Sequence, residues 1–128
     1  AELMHPFASF PLVGHLARGG LLAALLTAVA RPALVTAPAF AMDAPVQGSG
    51  KTLLASCVAA LATGHAPEIW PHTAGRDDEE VRKRLFAALR DGTTALIWGN
   101  ITGVFDSAAL AAAISISKSA PMMSTTPE

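Results

Sequence analysis

A glycine turn followed by a lysine and a threonine constrains this chain more than any other feature of its sequence. Gly48 and Gly50 allow a backbone turn tight enough to aim several N–H groups at one phosphate. Lys51 adds a positive charge for the outer phosphates, and the hydroxyl of Thr52 is placed to hold a magnesium ion. We therefore predict a nucleotide-binding loop with ATP and Mg²⁺ as ligands. Its contact residues are six consecutive ones, Gln47, Gly48, Ser49, Gly50, Lys51 and Thr52.

The residues around this loop favour the same interpretation. The full phosphate-loop consensus has a first glycine five residues before Gly50, and Pro45 stands at that position. Residues 39–42, however, are typical of a short buried strand, and residues 53–62 of an apolar helix. A strand, a loop and a helix in this order place phosphates on the helix N-terminus. The alternative is a simple Gly-Ser-Gly connection whose lysine points into water.

Composition argues against several classes of protein. The chain has 128 residues, enough for one small domain with a real core. Hydrophobic residues make up 52% of it and the net charge is −1, so neither a disordered chain nor a strongly charged partner surface is indicated. Cys57 is the only cysteine, which excludes an internal disulfide and indicates a reducing compartment. We therefore predict a cytoplasmic protein.

An apolar segment over 19–30 lies between Arg18 and Arg31. It is shorter than the roughly 20 residues that a membrane-spanning helix needs, so we predict a buried helix over 16–30 and no membrane contact. Large aliphatic side chains cover nearly the whole surface of this helix, and a small sheet cannot bury all of them. We therefore predict self-association. The side chains are Leu21, Leu22, Leu25, Leu26 and Val29.

The predicted elements alternate between helix and strand. An irregular lead-in over 1–15 precedes a domain over 16–116 and a flexible tail over 117–128. Helices are predicted over 16–30, 51–63, 77–91 and 107–116, and strands over 39–42, 68–72 and 93–98. This alternation predicts an α/β fold with a short parallel sheet flanked by helices. Together with the glycine loop before the helix over 51–63, it predicts a partial P-loop NTPase core.

Glycines and capping residues set the predicted helix ends. Gly64 and Gly92 are left-handed terminators for the second and third helices. Asp106 is predicted to cap the last helix, because Phe105 and Leu110 on either side of it have the spacing of a hydrophobic staple.

Two groups of side chains admit both a binding role and a structural one. The three consecutive basic residues 82–84 splay apart on a helix, so we favour a solvated face over a subunit or DNA contact. Trp70 and Trp98 could stack on a base. Packing is the commoner role of such residues, and the chain lacks the aromatic-basic interleaving of single-strand binders.

A carboxylate near the metal is the missing part of a catalytic site. Phosphoryl transfer to water requires an acid on a neighbouring strand, and the predicted strand over 93–98 runs into Gly99 and Asn100 instead. Asn100 could coordinate Mg²⁺ through its carbonyl oxygen, although it cannot act as a base. Asp43 could reach the metal from just before the loop. Both are candidate metal ligands beside Thr52, and no catalytic residue is assigned.

Several sequence runs carry a resemblance to a known family. They are R-P-A-L at 31–34 with T-A-P at 36–38, D-A-P-V-Q-G-S-G-K-T-L-L-A at 43–55, E-E-V-R-K-R-L at 79–85, G-N-I-T-G at 99–103 and D-S-A-A-L at 106–110. Together they resemble the ATPase segment of phage- and plasmid-type replication proteins, which are P-loop ATPases of the primase–helicase kind. The resemblance covers residues 20–116.

This resemblance implies an ATPase that works as an oligomer in the DNA replication of a mobile element. In that family the strand usually ends in Asp-Asn, which maps to Gly99-Asn100, so the Walker B acid is absent here. ATP binding is therefore expected, and hydrolysis is expected to be slow or absent. The family's polar sensor and arginine finger would lie beyond Ser115 and have no counterpart, so a truncated or interrupted copy is expected. Direct contact with nucleic acid is left open.

Two alternatives come from other functional classes. The chain could be a non-catalytic structural or interaction remnant of such an ATPase, which the missing acid favours. It could also be a small-molecule kinase, because these enzymes share the loop. An arginine-rich lid would then be expected after Arg90, and the sequence has none there.

Overall fold

The computed structural model describes residues 2–34, 36, 38–71, 78–102 and 104–115. It contains four α-helices, two β-strands and two 3₁₀ segments within these residues. The α-helices are α1 (Gly14–Ala30), α2 (Lys51–Thr63), α3 (Asp78–Arg90) and α4 (Ala108–Ser115). The strands are β1 (Glu68–Pro71) and β2 (Leu96–Gly99), and the 3₁₀ segments are Glu2–Phe7 and Arg31–Ala33. The predicted tail over 117–128 and Asp77, the first residue of the helix predicted over 77–91, lie outside the described residues.

The two strands form a parallel pair. Glu68 lies opposite Leu96 and Pro71 opposite Gly99, and α3 lies between the two strands in the chain. Parallel strands need a crossover connection of this kind, because a tight turn can join only antiparallel strands. The expectation of a mixed α/β fold with a short parallel sheet is confirmed at this coarse level.

The strand predicted over 39–42 is wrong. This segment forms no sheet ladder with any described residue, and Ala39, Phe40 and Ala41 are exposed to solvent. Prolines flank it at Pro38 and Pro45, and proline cannot donate a ladder hydrogen bond. Among the described residues, therefore, no strand leads into the glycine loop.

Glycines end α2 and α3 as predicted. Gly64 has a φ of 76° and donates its N–H to the carbonyl of Ala60 over 2.7 Å. Gly92 has a φ of 79°, and Thr93 after it donates to the carbonyl of Ala88 over 2.9 Å. Both glycines adopt a left-handed conformation that a side chain would disfavour, so the chain reverses where the sequence predicts.

The predicted cap of the last helix is wrong by one residue. Ser107, not Asp106, precedes the first residue of α4, and its Oγ accepts a hydrogen bond from the N–H of Leu110 over 3.2 Å. The same hydroxyl donates to Oδ1 of Asp78 over 2.6 Å. A cap accepts from the N–H three residues later, so the helix start fixes Ser107 in this role. The hydroxyl also ties the start of α4 to the first turn of α3.

The lead-in is more ordered than predicted. Residues Glu2–Phe7 form a 3₁₀ helix, and the side chain of Phe7 is only 3% exposed. Phe7 packs with apolar residues of α1 and α2, so the prediction of an irregular segment over 1–15 is wrong for this part. Burial of an aromatic ring is enough to fix a short segment that has little helical propensity of its own.

The buried apolar residues form two clusters. The first joins the N-terminal segment, α1 and α2, and the second joins the sheet to α3 and α4. Leu25 of α1 is the most deeply buried side chain of the first cluster. Val81, Leu85 and Ala88 of α3 belong to the second cluster, whereas Leu89 is 47% exposed. The first cluster contains Phe7, Leu21, Ala24, Leu25, Leu54 and Val58, and the second Trp70, Val81, Leu85 and Ala88.

The first helix is longer than predicted. Together with the 3₁₀ turn it forms a helical run over Gly14–Ala33, which is long and apolar enough to cross a membrane by length and composition. The expectation that this segment is too short is therefore wrong. Core helices of soluble proteins and signal sequences have the same length and composition, so a cytoplasmic location stays a prediction.

Candidate phosphate-binding loop

The glycine loop has the backbone conformation that its sequence predicts. Gly48 has a φ of 80° and Gly50 a φ of 85°, both in the left-handed region that side chains disfavour. Helix α2 begins at the next residue, Lys51, and the carbonyl of Gly50 accepts the N–H of Leu54 over 2.8 Å. The two glycines therefore turn the chain directly into the first turn of a helix of 13 residues.

The start of α2 has no side-chain cap within the described part of the chain. The first N–H groups of a helix have no partner within the helix, and they carry the positive end of the helix dipole. A phosphate oxygen satisfies both the hydrogen bonds and the charge at such a position. The arrangement thus presents donors where the sequence predicts phosphate binding.

The side chains of the loop differ in exposure. Gln47 and Thr52 are exposed, whereas Ser49 and Lys51 are half-buried. The hydroxyl oxygen of Ser49 is shielded from water and has no hydrogen-bond partner within the described part of the chain. A buried hydroxyl without a partner is unfavourable, so this donor fits a site that gains an acceptor when a ligand binds.

Sequence reasoning missed Phe10 as a neighbour of the loop. A methyl group added at Gly50 would lie 3.5 Å from Cε1 of Phe10 and 3.9 Å from Cδ1, so the ring lies against the glycine at the helix start. Phe10 also packs on the first buried cluster. No local pattern pointed to this contact, because the two residues are far apart in the sequence.

The position of α2 relative to the sheet follows from its connections. Helix α2 contacts β2, and residues 64–67 join its C-terminus to β1. A helix that packs on a sheet and is joined so closely to the next strand is expected to run antiparallel to that strand. Its N-terminus is then directed towards the carboxyl ends of the strands, where open α/β sheets bind ligands.

The candidate metal ligands are not joined in this structure. Oδ1 of Asp43 accepts a hydrogen bond from the N–H of Ala44 over 2.8 Å, which is a local turn contact. Asn100 follows β2, is exposed and has a left-handed φ of 55°. No hydrogen bond within the described residues links either side chain to Thr52, and those residues contain no group of three or more His, Cys, Asp or Glu side chains suited to a metal.

The basic triplet of α3 is divided between two environments. Arg82 is exposed and donates to both carboxylate oxygens of Glu79, over 2.7 and 2.9 Å, and the hydrogen bond and charge of Glu79 raise the pKa of Arg82. Lys83 is exposed as well. Arg84 instead lies over the ring of Trp70 at 5.3 Å. The solvated-face interpretation therefore holds for the first two residues and fails for the third.

The two tryptophans pack against each other. Their rings are 5.2 Å apart in an edge-to-face arrangement, and Trp70 is 4% exposed. Such a pair is a stabilising contact in a core. The prediction that these residues pack within the fold is confirmed.

Comparison with known proteins adds no relative. No protein-family model, no curated protein and no solved structure matches this chain. The resemblance to replication ATPases therefore depends on the sequence runs alone.

Proposed function

We propose that this chain binds a nucleoside triphosphate, ATP, with Mg²⁺ at the loop Gln47–Thr52. The observation that carries the proposal is the left-handed turn at Gly48 and Gly50, which opens onto the uncapped N-terminus of α2 with Lys51 as its first residue. A turn of this kind with a lysine at the helix start combines backbone donors, the helix dipole and a point charge at one place.

Each residue of the loop has a defined task in this proposal. The N–H groups from Gly48 to Thr52 surround one phosphate, and the hydroxyl of Ser49 donates to a phosphate oxygen. Lys51 neutralises the outer phosphates, and Thr52 contributes its hydroxyl to the magnesium ion. The metal would offset phosphate charge, and Asp43 and Asn100 are the further oxygen donors proposed for it.

An equilibrium titration with a fluorescent ATP analogue tests the proposal. We expect saturable binding that competes with unlabelled ATP and weakens when Mg²⁺ is removed by a chelator. Binding to the folded state alone also raises the unfolding temperature as ligand is added, which provides a second measurement. If neither binding nor a higher unfolding temperature is seen at millimolar nucleotide, the loop is a simple connection.

Hydrolysis is proposed to be slow or absent, because Gly99 stands at the end of β2 where the resembled family has an acid. We expect wild-type turnover far below about 1 per second, the lower end of ordinary enzymes. Gly99→Asp should raise turnover, since it supplies a carboxylate for the metal. A Cβ at Gly99 would meet Cγ2 of Ile69 at 3.4 Å and the carbonyl oxygen of Trp70 at 3.9 Å, so only a small shift is needed.

Gly99→Asn is the matched control for this change. It has the shape of aspartate without the charge, so it should hydrolyse no faster than the wild type. Wild-type turnover in the ordinary enzyme range would contradict the proposal and would direct attention to Asp43. Equal acceleration by both variants would show that the carboxylate is not responsible.

A role in the DNA replication of a mobile element is proposed on the resemblance alone. Gly99 favours a non-catalytic form of that role, because it stands where the resembled family has an acid. A chain that binds ATP tightly without hydrolysing it would act through assembly or through its partners, whereas fast turnover would favour a working ATPase.

Self-association is proposed through the outward face of α1, the face opposite α2. Five residues follow one another at spacings of three and four and are all exposed, which is the pattern of a helix that pairs with a like helix. They are Leu16, Gly19, Ala23, Leu26 and Ala30. Leu22 and Val29 extend the same apolar face, and no charge interrupts it between Arg18 and Arg31.

A further inference from the structure

We propose that Phe10 is a positioning residue for the phosphate loop, whose ring holds Gly50 in the conformation that binds the nucleotide. This inference rests on the proposed function, because it assigns a role in that same site. It concerns a residue outside the sequence motif, and it starts from the contact between the Phe10 ring and Gly50.

The N-terminal segment is anchored independently of the loop. Phe7 is buried in the first cluster, and its ring lies 6.2 Å from that of Phe10. The N–H of Phe10 donates to the carbonyl of Phe7 over 3.1 Å, and the N–H of Leu12 donates to the carbonyl of Phe10 over 2.8 Å. Contacts with the core therefore hold the Phe10 ring in place, and these contacts do not depend on the loop.

The loop, in contrast, has little that holds its own conformation. Glycine moves easily between right-handed and left-handed conformations, and both Gly48 and Gly50 must stay left-handed to direct the N–H groups at a phosphate. Ser49 between them has a shielded hydroxyl without a partner in the described part of the chain, so it adds no hydrogen bond. The ring of Phe10 is thus a fixed surface against which Gly50 is set.

By holding Gly50, the Phe10 ring raises the fraction of molecules whose loop has the conformation that binds nucleotide. The apparent dissociation constant is the intrinsic one divided by that fraction. If removal of the ring lowers the fraction tenfold, the nucleotide binds about tenfold more weakly although no residue that touches it has changed.

Three substitutions of Phe10 separate the length of its side chain from its apolar volume. Phe10→Ala removes both, and Phe10→Leu keeps apolar volume but has no atom at the Cε position. Phe10→Met again has an atom at that distance from the backbone. We expect about tenfold weaker binding of the ATP analogue for Phe10→Ala, an intermediate value for Phe10→Leu and recovery for Phe10→Met. Met4→Ala is the control, because Met4 packs on the same buried cluster and is not in contact with Gly50.

Amide hydrogen exchange without nucleotide tests the same role independently of binding. The N–H of Leu54 is bonded to the carbonyl of Gly50, so its exchange reports on the loop, whereas the N–H of Val58 reports on the middle of α2. We expect Phe10→Ala to raise the amide exchange rate of Leu54 about tenfold more than that of Val58. Met4→Ala should change the two exchange rates equally. Phe10→Leu should show the same selectivity to a smaller degree, which keeps the test valid if the alanine variant does not fold.

The two measurements distinguish the failure of this inference from the failure of the proposed function. A wild-type chain without nucleotide affinity would refute ATP binding, and the exchange at Leu54 would still decide the role of Phe10. Equal acceleration of Leu54 and Val58 in the Phe10 variants would overturn the inference. So would nucleotide affinity that falls equally in Met4→Ala, since the effect would then be loss of the core.

Discussion

Lys51→Ala is expected to weaken the binding of Mg²⁺–ATP by at least about 100-fold, equivalent to about 2.8 kcal/mol. Lys51 is the first residue of α2 and is half-buried beside the glycine turn, so we expect its charge to lie near the proposed phosphate position. Hydrogen bonds from a charged donor to phosphate are among the strongest in proteins. Titration with the fluorescent ATP analogue measures the change.

The substitution should leave the fold intact, because alanine has the highest helix propensity of all residues. Circular dichroism and thermal unfolding without nucleotide check this directly. Lys83→Ala is the matched control, since Lys83 is an exposed lysine on α3 and lies outside the loop. If the two variants bind the analogue as tightly as the wild type, Lys51 points into water and the loop is only a turn.

The helix ends were predictable because their causes are local. A glycine that follows an apolar helical run ends it wherever the chain needs a left-handed residue, which is what Gly64 and Gly92 do. A short parallel sheet followed from the alternation of strands and helices, although β2 begins at Leu96, three residues later than predicted. The loop conformation at Gly48 and Gly50 was local in the same sense.

The errors came from contacts that no local pattern contains. A strand exists only if another strand pairs with it, and the run over 39–42 has no such partner among the residues that the structure describes. Asp106 and Ser107 are adjacent, and both are suited to capping. Two features distinguish them: the residue at which the helix starts, and the hydrogen bond of Ser107 to Asp78, 29 residues away. The contact of Phe10 with Gly50 is also of this kind.

The proposed site combines local backbone features with side chains from distant parts of the chain. Its backbone features, the turn and the helix start, are those that the sequence motif predicts. Its metal ligands depend on Asp43 and Asn100, which come from separate parts of the chain and are not joined by any described hydrogen bond to Thr52. Local motifs fix a phosphate cradle, whereas a metal site requires tertiary contacts that a motif does not encode.

Assembly of the chain is expected to depend on the outward face of α1. Leu16 is 93% exposed and Leu26 is 55% exposed in the isolated chain, and Leu22 lies beside them. Apolar side chains arranged in this way gain free energy when a second copy covers them. We therefore expect the molar mass measured by light scattering to rise above 13.1 kDa as concentration increases.

The double variant Leu22→Glu, Leu26→Glu should remain at the monomer mass over the same range. Both positions are exposed in the monomer, so the charges should change its stability little, but each would cost several kcal/mol if buried between copies. The control is Phe86→Glu, Leu89→Glu, because these exposed apolar residues lie on α3 instead. Equal loss of assembly in both double variants would indicate a generally adhesive surface and not a face of α1.

A membrane is the other occupant that this experiment must distinguish. The helical run Gly14–Ala33 has the length and composition of a membrane span, and the two charged residues within it, Arg18 and Arg31, are basic. Co-sedimentation with vesicles that contain anionic lipids tests this alternative. The wild-type chain could stay monomeric at every concentration and bind the vesicles through Leu22 and Leu26. Membrane binding would then replace self-association as the proposal, since lipid would cover the same apolar face.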